Sequence, residues 1–434
     1  MSNSTVADQQ VHAASYYAAR QPPRALRKPL KGREDTDVAI IGGGLAGLTA
    51  ALELSRRGHS VALVESRRIG WGASGRNGGF VSPGFAESIG SIERKTGVET
   101  AKKLYNLSVT GVEYVEDTIA AAGRSDIIAG RGWLHVIRHG KVGAFRAWRD
   151  RMARDYGAEM EFLDRSGLQQ VLKTDCYQAG VVDRKPFHID PLAYAELLLA
   201  LCLNAGVRVF EGTEVSEVAK SGASFVLKAP SGQVRSARVV VATSAYGGPI
   251  SQIERSILPV ATYVVTSRPF RDSLAEIIGY RGCIADQRRA GDYYRLVEDE
   301  LGLRLLWGGR ITTRRSEPAR LGEMLLRDIQ RIYPQLGDLE IEFNWSGLMG
   351  YARHKMPIVG ELQPGLFALT GFGGHGLNAT ASGAIAVTDA IAGDDGRLKL
   401  FKKFGPVWGG GPFGRLATQL EYMRLRLTDA LDEM

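Results

Sequence analysis

The chain has 434 residues, 44% hydrophobic and 24% charged, ordinary globular proportions at a length that suits two domains. Fifty-five Lys and Arg against 47 Asp and Glu leave a formal charge of +8, gathered at the two ends with no nucleic-acid reader motif, so a nucleic-acid partner is excluded. Cys176, Cys202 and Cys283 fit no metal or redox spacing, no apolar run is long enough to span a bilayer, and no signal peptide opens the chain; a cytoplasmic protein without a metal is expected.

In chain order, residues 1–33, with Pro22, Pro23 and Pro29, read as an irregular arm lying over a domain. Asp37 to Ile41 is a short buried strand and Gly42 to Gly47 a tight turn. A helix follows from Leu45 to Arg57, closed by Gly58, and then a strand from Ser60 to Val64 that ends at Glu65. Residues 88–160 carry helical patterns interrupted by a strand at 132–138. Asp190 and Pro191 begin a helix that runs to Asn204. Strands are expected at 207–209, 225–228, 234–242, 259–270, 292–298 and 303–308, a helix at 314–334, and a last strand at 366–370 before a glycine-rich turn and an apolar helix to Ala392. The segment Gly409 to Gly414, interrupted by Pro412, reads as a loop. The fold class is mixed α/β: a Rossmann-like parallel layer with an interleaved antiparallel-sheet domain.

The chemistry starts at Gly42-x-Gly44-x-x-Gly47, which sits between a strand and a helix. In a dinucleotide site Gly42 makes the turn, Gly44 lets the backbone approach the pyrophosphate, and Gly47 lets helix pack on strand. Leu45 and Ala46 supply helix N-terminal amides, and Glu65, followed by Ser66 and Arg67, accepts from the adenosine ribose. The next loop, with Gly72, Ala73, Ser74, Arg76, Asn77 and Gly78, is dense in backbone donors; a plain NAD site needs no such loop, so FAD is favoured. A second glycine turn, Gly373, Gly374, His375 and Gly376, leads into Leu377 and Asn378 and aims a helix N-terminus at the flavin's pyrimidine edge. No second complete nucleotide unit is present for NAD(P)H, so electrons are expected from the organic substrate itself.

These segments, with His188-Ile189-Asp190-Pro191, resemble the D-amino-acid-oxidase-like flavoproteins. Ser15-Tyr16-Tyr17, the loop 71–79, Asp292-Tyr293-Tyr294-Arg295 and Leu305 to Gly309 are most similar to the γ-glutamylputrescine oxidase branch. The resemblance implies an FAD domain built from 34–90, 160–250 and 345–434 and a substrate domain from 91–159 and 251–344. It places Val215 near the adenine and Ala242 and Thr243 against the cofactor. It also implies oxidation of an amine or amino acid to an imine by hydride transfer to flavin N5, then hydrolysis and reoxidation by oxygen. Sarcosine-oxidase-type members hold flavin through a cysteine near positions 346–349; no cysteine follows Cys283 here, so noncovalent FAD is expected. Asn378 stands where those members hold a substrate carboxylate with lysine, and no lysine lies in 305–309, where they activate oxygen.

His375 is the candidate beside the ring as hydrogen-bond partner or proton acceptor. Arg76 and Asn77 serve the cofactor or the mouth of the site. Tyr263, Tyr294 and Tyr351 are candidate substrate-wall aromatics, and Arg310 and Arg353 candidate partners for a distal carboxylate. Two alternatives stand beside the oxidase: a dehydrogenase passing electrons to a quinone or carrier, with the Phe413 to Leu431 tail on anionic lipid, and a flavin-binding module without turnover.

Overall fold

Val38, Ala39, Ile40 and Ile41 are apolar in succession because both faces of their strand are covered. That strand, Gly32–Ile41, pairs in parallel with Val61–Val64 on one side and Gly232–Val241 on the other. Arg208–Phe210 and Leu366–Thr370 extend the parallel sheet, and Ile358–Gln363 closes one edge antiparallel. A hairpin, Glu217–Ser221 and Ser224–Ala229, pairs onto Gly232–Val241. Helices Leu45–Arg56, Val98–Ala121, Pro191–Asn204 and Gly376–Ile391 pack together over this sheet, and their apolar residues share one core with it. The computed structural model describes residues 11–433 apart from 141, 271–272, 289–290 and 315–316.

The second sheet has nine strands and is mostly antiparallel. Its order is Ile341–Ala352, Ile257–Ser267, Gly302–Thr312, Tyr293–Asp299, Cys283–Asp286, Ile128–Ile137, Ala179–Ile189 and Phe80–Val81, with Met160–Leu163 beside Ala179–Ile189. Sheet pairing departs from the expected division at four places. Residues 80–81, 160–163, 179–189 and 345–352 are expected in the nucleotide layer, yet their backbone hydrogen bonds lie in the second sheet. The chain crosses between the sheets more often than local pattern reveals, and the crossings bring both sheets to one cavity.

Local expectations hold for the opening βαβ unit and for the helix from Pro191, whose Asp190 carboxylate accepts from Leu192 and Ala193 N–H, both at 3.0 Å. The helix expected at 314–334 begins only at Leu321. The loop expected at 409–414 holds only to Gly410. Gly411–Asp432 is a helix with Pro412 in its first turn, where the missing N–H costs no intrahelical bond. Among the described residues no helix is long and apolar enough to cross a membrane. Of the arm, only 11–33 falls among the described residues; it carries a short helix, Tyr16–Arg20, with both tyrosines buried.

Candidate active site

A cavity of about 820 Å³ runs from the ends of the parallel strands to the face of the second sheet. At its first end, Gly42 (φ +111°) turns the chain beneath Ala242, whose carbonyl oxygen would lie 2.6 Å from a Cβ there. A Cβ at Gly47 would lie 2.0 Å from the Gly42 carbonyl oxygen, so only glycine lets this helix sit on this turn. Gly42, Gly44, Leu45 and Ala46 line the cavity; Gly47 does not, and acts through packing alone. No side chain of the N-cap residue, Gly44, closes the helix N-terminus; Ser74 Oγ accepts from Leu45 N–H at 3.0 Å. Glu65 accepts from Gly43 N–H at 2.6 Å and Arg67 N–H at 2.8 Å. Burial pushes its carboxyl above the usual range, against the pull of those amides. Ser66, Arg67, Val215, Ala242 and Thr243 complete this end.

The glycine-rich loop covers the middle. Asn77 Nδ2 donates to the carbonyls of Ala73 and Ser74, and its Oδ1 accepts from Gly79 N–H. Arg76 donates through Nε to the Trp71 carbonyl at 2.7 Å, and Arg76 and Arg67 both lie over the Trp71 ring, 4.3 and 3.7 Å from its centroid. Gly72, Ala73, Ser74, Arg76, Asn77 and Gly78 all line the cavity. The arm straps this loop from outside: Trp71 Nε1 donates to the Val11 carbonyl and Tyr17 Oη to the Asn77 carbonyl.

At the far side the second glycine turn meets the second sheet. Gly373, Gly374, His375, Gly376 and Leu377 line the cavity opposite Trp133, Met349 and Tyr351. Helix Gly376–Ile391 begins there without a side-chain cap. His375 Nε2 lies 3.1 Å from the Ser82 and Pro83 carbonyl oxygens, which places the ring hydrogen on Nε2 and leaves Nδ1 an acceptor. Burial holds this imidazole below its ordinary value, hence neutral near pH 7.

Beyond the aromatics lies a charged end, of which the sequence singled out Arg310 as a site residue but not Asp286, Arg288 or Asp292. Asp286, Arg288, Asp292 and Arg310 line it. Arg288 bonds both carboxylates, at 3.0 and 2.6 Å, and Arg138 reaches the same pair from behind. Burial pushes the Asp292 carboxyl up to about 6, with Asp286 adding to the rise and the two guanidiniums opposing it. Arg310 is held bidentate by Asp328 at 2.6 and 2.9 Å.

Four expectations are corrected. Tyr294 is fully buried away from the cavity, stacked on Trp307 and bonded to the Tyr177 and Tyr333 hydroxyls; its neighbour Tyr293 lines the wall instead. Tyr263 likewise points into the core behind the sheet, and Thr262 faces the cavity. Successive strand residues alternate faces, so one position decides it. Asn378 turns inward, donating to the Gly84 and Ser108 carbonyls, and does not line the cavity. Arg353 is exposed and outside it.

The model of the family described as DAO, FAD dependent oxidoreductase, matches residues 37–390. The chain belongs to the DAO family of FAD-dependent oxidoreductases. It is 30% identical over 430 residues to a probable oxidoreductase OrdL of Haemophilus influenzae, covering 97% of this chain and 98% of that one. It is 30% identical to the gamma-glutamylputrescine oxidoreductase of Escherichia coli, over 90% of this chain and 91% of that one. The crystal structure of glycine oxidase from Bacillus cereus superposes with a TM-score of 0.69 at 22% identity, covering 84% of this chain and 97% of that one.

The cavity fits the DAO-family cofactor on its own chemistry. FAD is long, with an anionic centre, and here two helix N-termini without side chains of their N-cap residues across them open on one elongated cavity. Among the described residues, no cysteine and no lysine stands in the cavity wall.

Proposed function

We propose that this flavoenzyme oxidises the C–N bond of an amine to an imine, on substrates of the γ-glutamylputrescine type: an amine at one end, a zwitterionic α-amino-acid head at the other. The two-ended cavity carries this reading. One end is walled by Trp133, Met349 and Tyr351; the other sets Arg288 and Arg310 among Asp286 and Asp292. A head bearing both ammonium and carboxylate meets partners of both signs there. A bare alkylamine offers those groups no partner of either kind.

FAD, held without a covalent bond, supplies the two-electron acceptor when bound. The rest is work for this chain's own residues. The aromatic end desolvates the substrate nitrogen and favours its neutral form, the state that can release hydride from the adjacent carbon. His375, neutral and with Nδ1 free to accept, takes a hydrogen bond or the proton from that nitrogen. The N-terminus of Gly376–Ile391 stabilises negative charge arriving beside it. Arg76 and Asn77 hold the covering loop, and the two sheets divide the labour as a cofactor domain and a substrate domain. Oxygen is the proposed acceptor and the cytoplasm the proposed location. The lysine-free wall favours a second reading, a dehydrogenase that passes electrons to a quinone or carrier.

Steady-state assays test the substrate reading, following both peroxide and an artificial electron acceptor. The expected result is a kcat/KM for γ-glutamylputrescine above that for putrescine by at least about tenfold, the effect of ~1.4 kcal/mol of added binding. Equal values for the two would remove the argument from the charged end. Turnover seen with the artificial acceptor alone would select the dehydrogenase.

A further inference from the structure

Helix Gly411–Asp432 wears its apolar side outward. Polar contacts hold it to the body: Tyr422 Oη accepts from Ile311 N–H at 2.9 Å, Gln419 Oε1 from Thr313 N–H at 3.0 Å, and Arg415 donates to the Thr313 carbonyl at 3.0 Å. On the opposite side Phe413, Leu416, Leu420, Met423, Leu427 and Leu431 are 53–80% exposed. Their spacing of three and four residues sets them in one stripe. A surface helix normally turns such a stripe inward; this one is inverted.

We propose that the stripe is the interface with a second copy of the chain, the two helices packed antiparallel about a two-fold axis. The spacing is self-complementary in that arrangement. Phe413 of one copy falls opposite Leu431 of the other, Leu416 opposite Leu427, and Leu420 opposite Met423, which are the alternating layers of an antiparallel helix pair. A parallel pair would instead set the Arg424 and Arg426 positions of the two copies side by side.

The area is sufficient. Six side chains so exposed present on the order of 600 Å² per copy, the upper end of what a monomer leaves uncovered, and two copies bury on the order of 1,200 Å², the lower bound of a stable interface. Val407 and Trp408, a few residues before the helix, are exposed as well. An anionic membrane suits it less, because Arg415 donates to the Thr313 carbonyl and Arg424 pairs with Glu421 at 2.7 Å. The same helix braces the distal end of the cavity, because Tyr422 holds Ile311 and Glu433 pairs with Arg288 at 3.2 Å.

Sedimentation velocity on the flavin-loaded full chain tests this. A dimer is expected, and the double variant Leu420→Glu, Leu427→Glu should be monomeric with an unchanged flavin spectrum and far-ultraviolet circular dichroism, since both side chains point away from the body. Oxidative cross-linking fixes the direction. Mixed Phe413→Cys and Leu431→Cys proteins should form a covalent dimer that neither forms alone, with the wild type as blank. A monomeric wild type, a double variant that still dimerises, or Phe413→Cys cross-linking to itself overturns the proposal. So does a monomer that sediments with phosphatidylglycerol vesicles, which would assign the stripe to lipid.

Discussion

Replacing Gly47 and Gly44 by alanine separates the fold's demand for glycine from the ligand's. At Gly47 the new Cβ lies 2.0 Å from the Gly42 carbonyl oxygen and 3.3 Å from Ile40 Cγ2. Neither backbone can rotate aside, so helix Leu45–Arg56 must back away from the strand beneath it, an overpacking cost of about 1–3 kcal/mol. At Gly44 the Cβ meets only the Ser74 side chain, 2.8 Å from Oγ, and a serine can turn away at the cost of its bond from Leu45 N–H; the flavin-free protein should lose about 1 kcal/mol. Both changes displace the helix N-terminal amides proposed to hold the pyrophosphate, so both should weaken FAD binding by at least about tenfold, or ~1.4 kcal/mol. Urea unfolding of the flavin-free proteins and flavin-fluorescence titrations read the two effects apart. The reasoning fails if Gly47→Ala unfolds at the wild-type midpoint, or if Gly44→Ala binds FAD as tightly as the wild type.

Tyr294→Phe should leave kcat and KM unchanged while costing about 1–3 kcal/mol, because the buried Tyr177 and Tyr333 hydroxyls lose a partner; an altered KM would return Tyr294 to the substrate wall. The Asp292 carboxyl is raised in the folded state, so its protonated form stabilises below the unfolded value near 4, and that contribution is lost as pH rises through about 6. Melting temperatures should therefore fall more steeply over that window in the wild type than in Asp292→Asn; parallel curves would contradict the assignment. His375 is held below its ordinary value, so the rate of flavin reduction should show no inflection near about 6.5. An inflection there that vanishes in His375→Gln would show an imidazole that charges in the working range.

The nucleotide turn was legible because its glycines act within a few residues of one another: strand, turn and helix are contiguous, and Gly47 meets Gly42 across a single turn. The second glycine turn was legible for the same reason, with a strand before it and an apolar helix after it. The substrate end was not. Tyr293 and Tyr294 differ only in parity along a strand, and which face looks on the cavity depends on pairing with Gly302–Thr312 and Cys283–Asp286. Asp286, Arg288 and Asp292 straddle the turn of one hairpin, but they become a cavity end only because Cys283–Asp286 also pairs with Ile128–Ile137, about 150 residues earlier. Asn378 was placed by analogy with a lysine site, and the helix face it occupies points instead at Gly84 and Ser108. Pro412 read as a breaker, where its place in the first turn makes it a helix start.

The central claim, that a bound flavin accepts electrons directly from an amine lying between His375 and the charged end, is tested most directly by anaerobic mixing. The purified flavoprotein is combined with γ-glutamylputrescine, putrescine, glycine, sarcosine, pipecolate and D-amino acids, and the visible flavin band is followed. Bleaching by γ-glutamylputrescine or a close relative carrying a distal zwitterion is expected, with colour returning when air is admitted. A flavin that no amine in the panel bleaches, but that dithionite reduces normally, would contradict it.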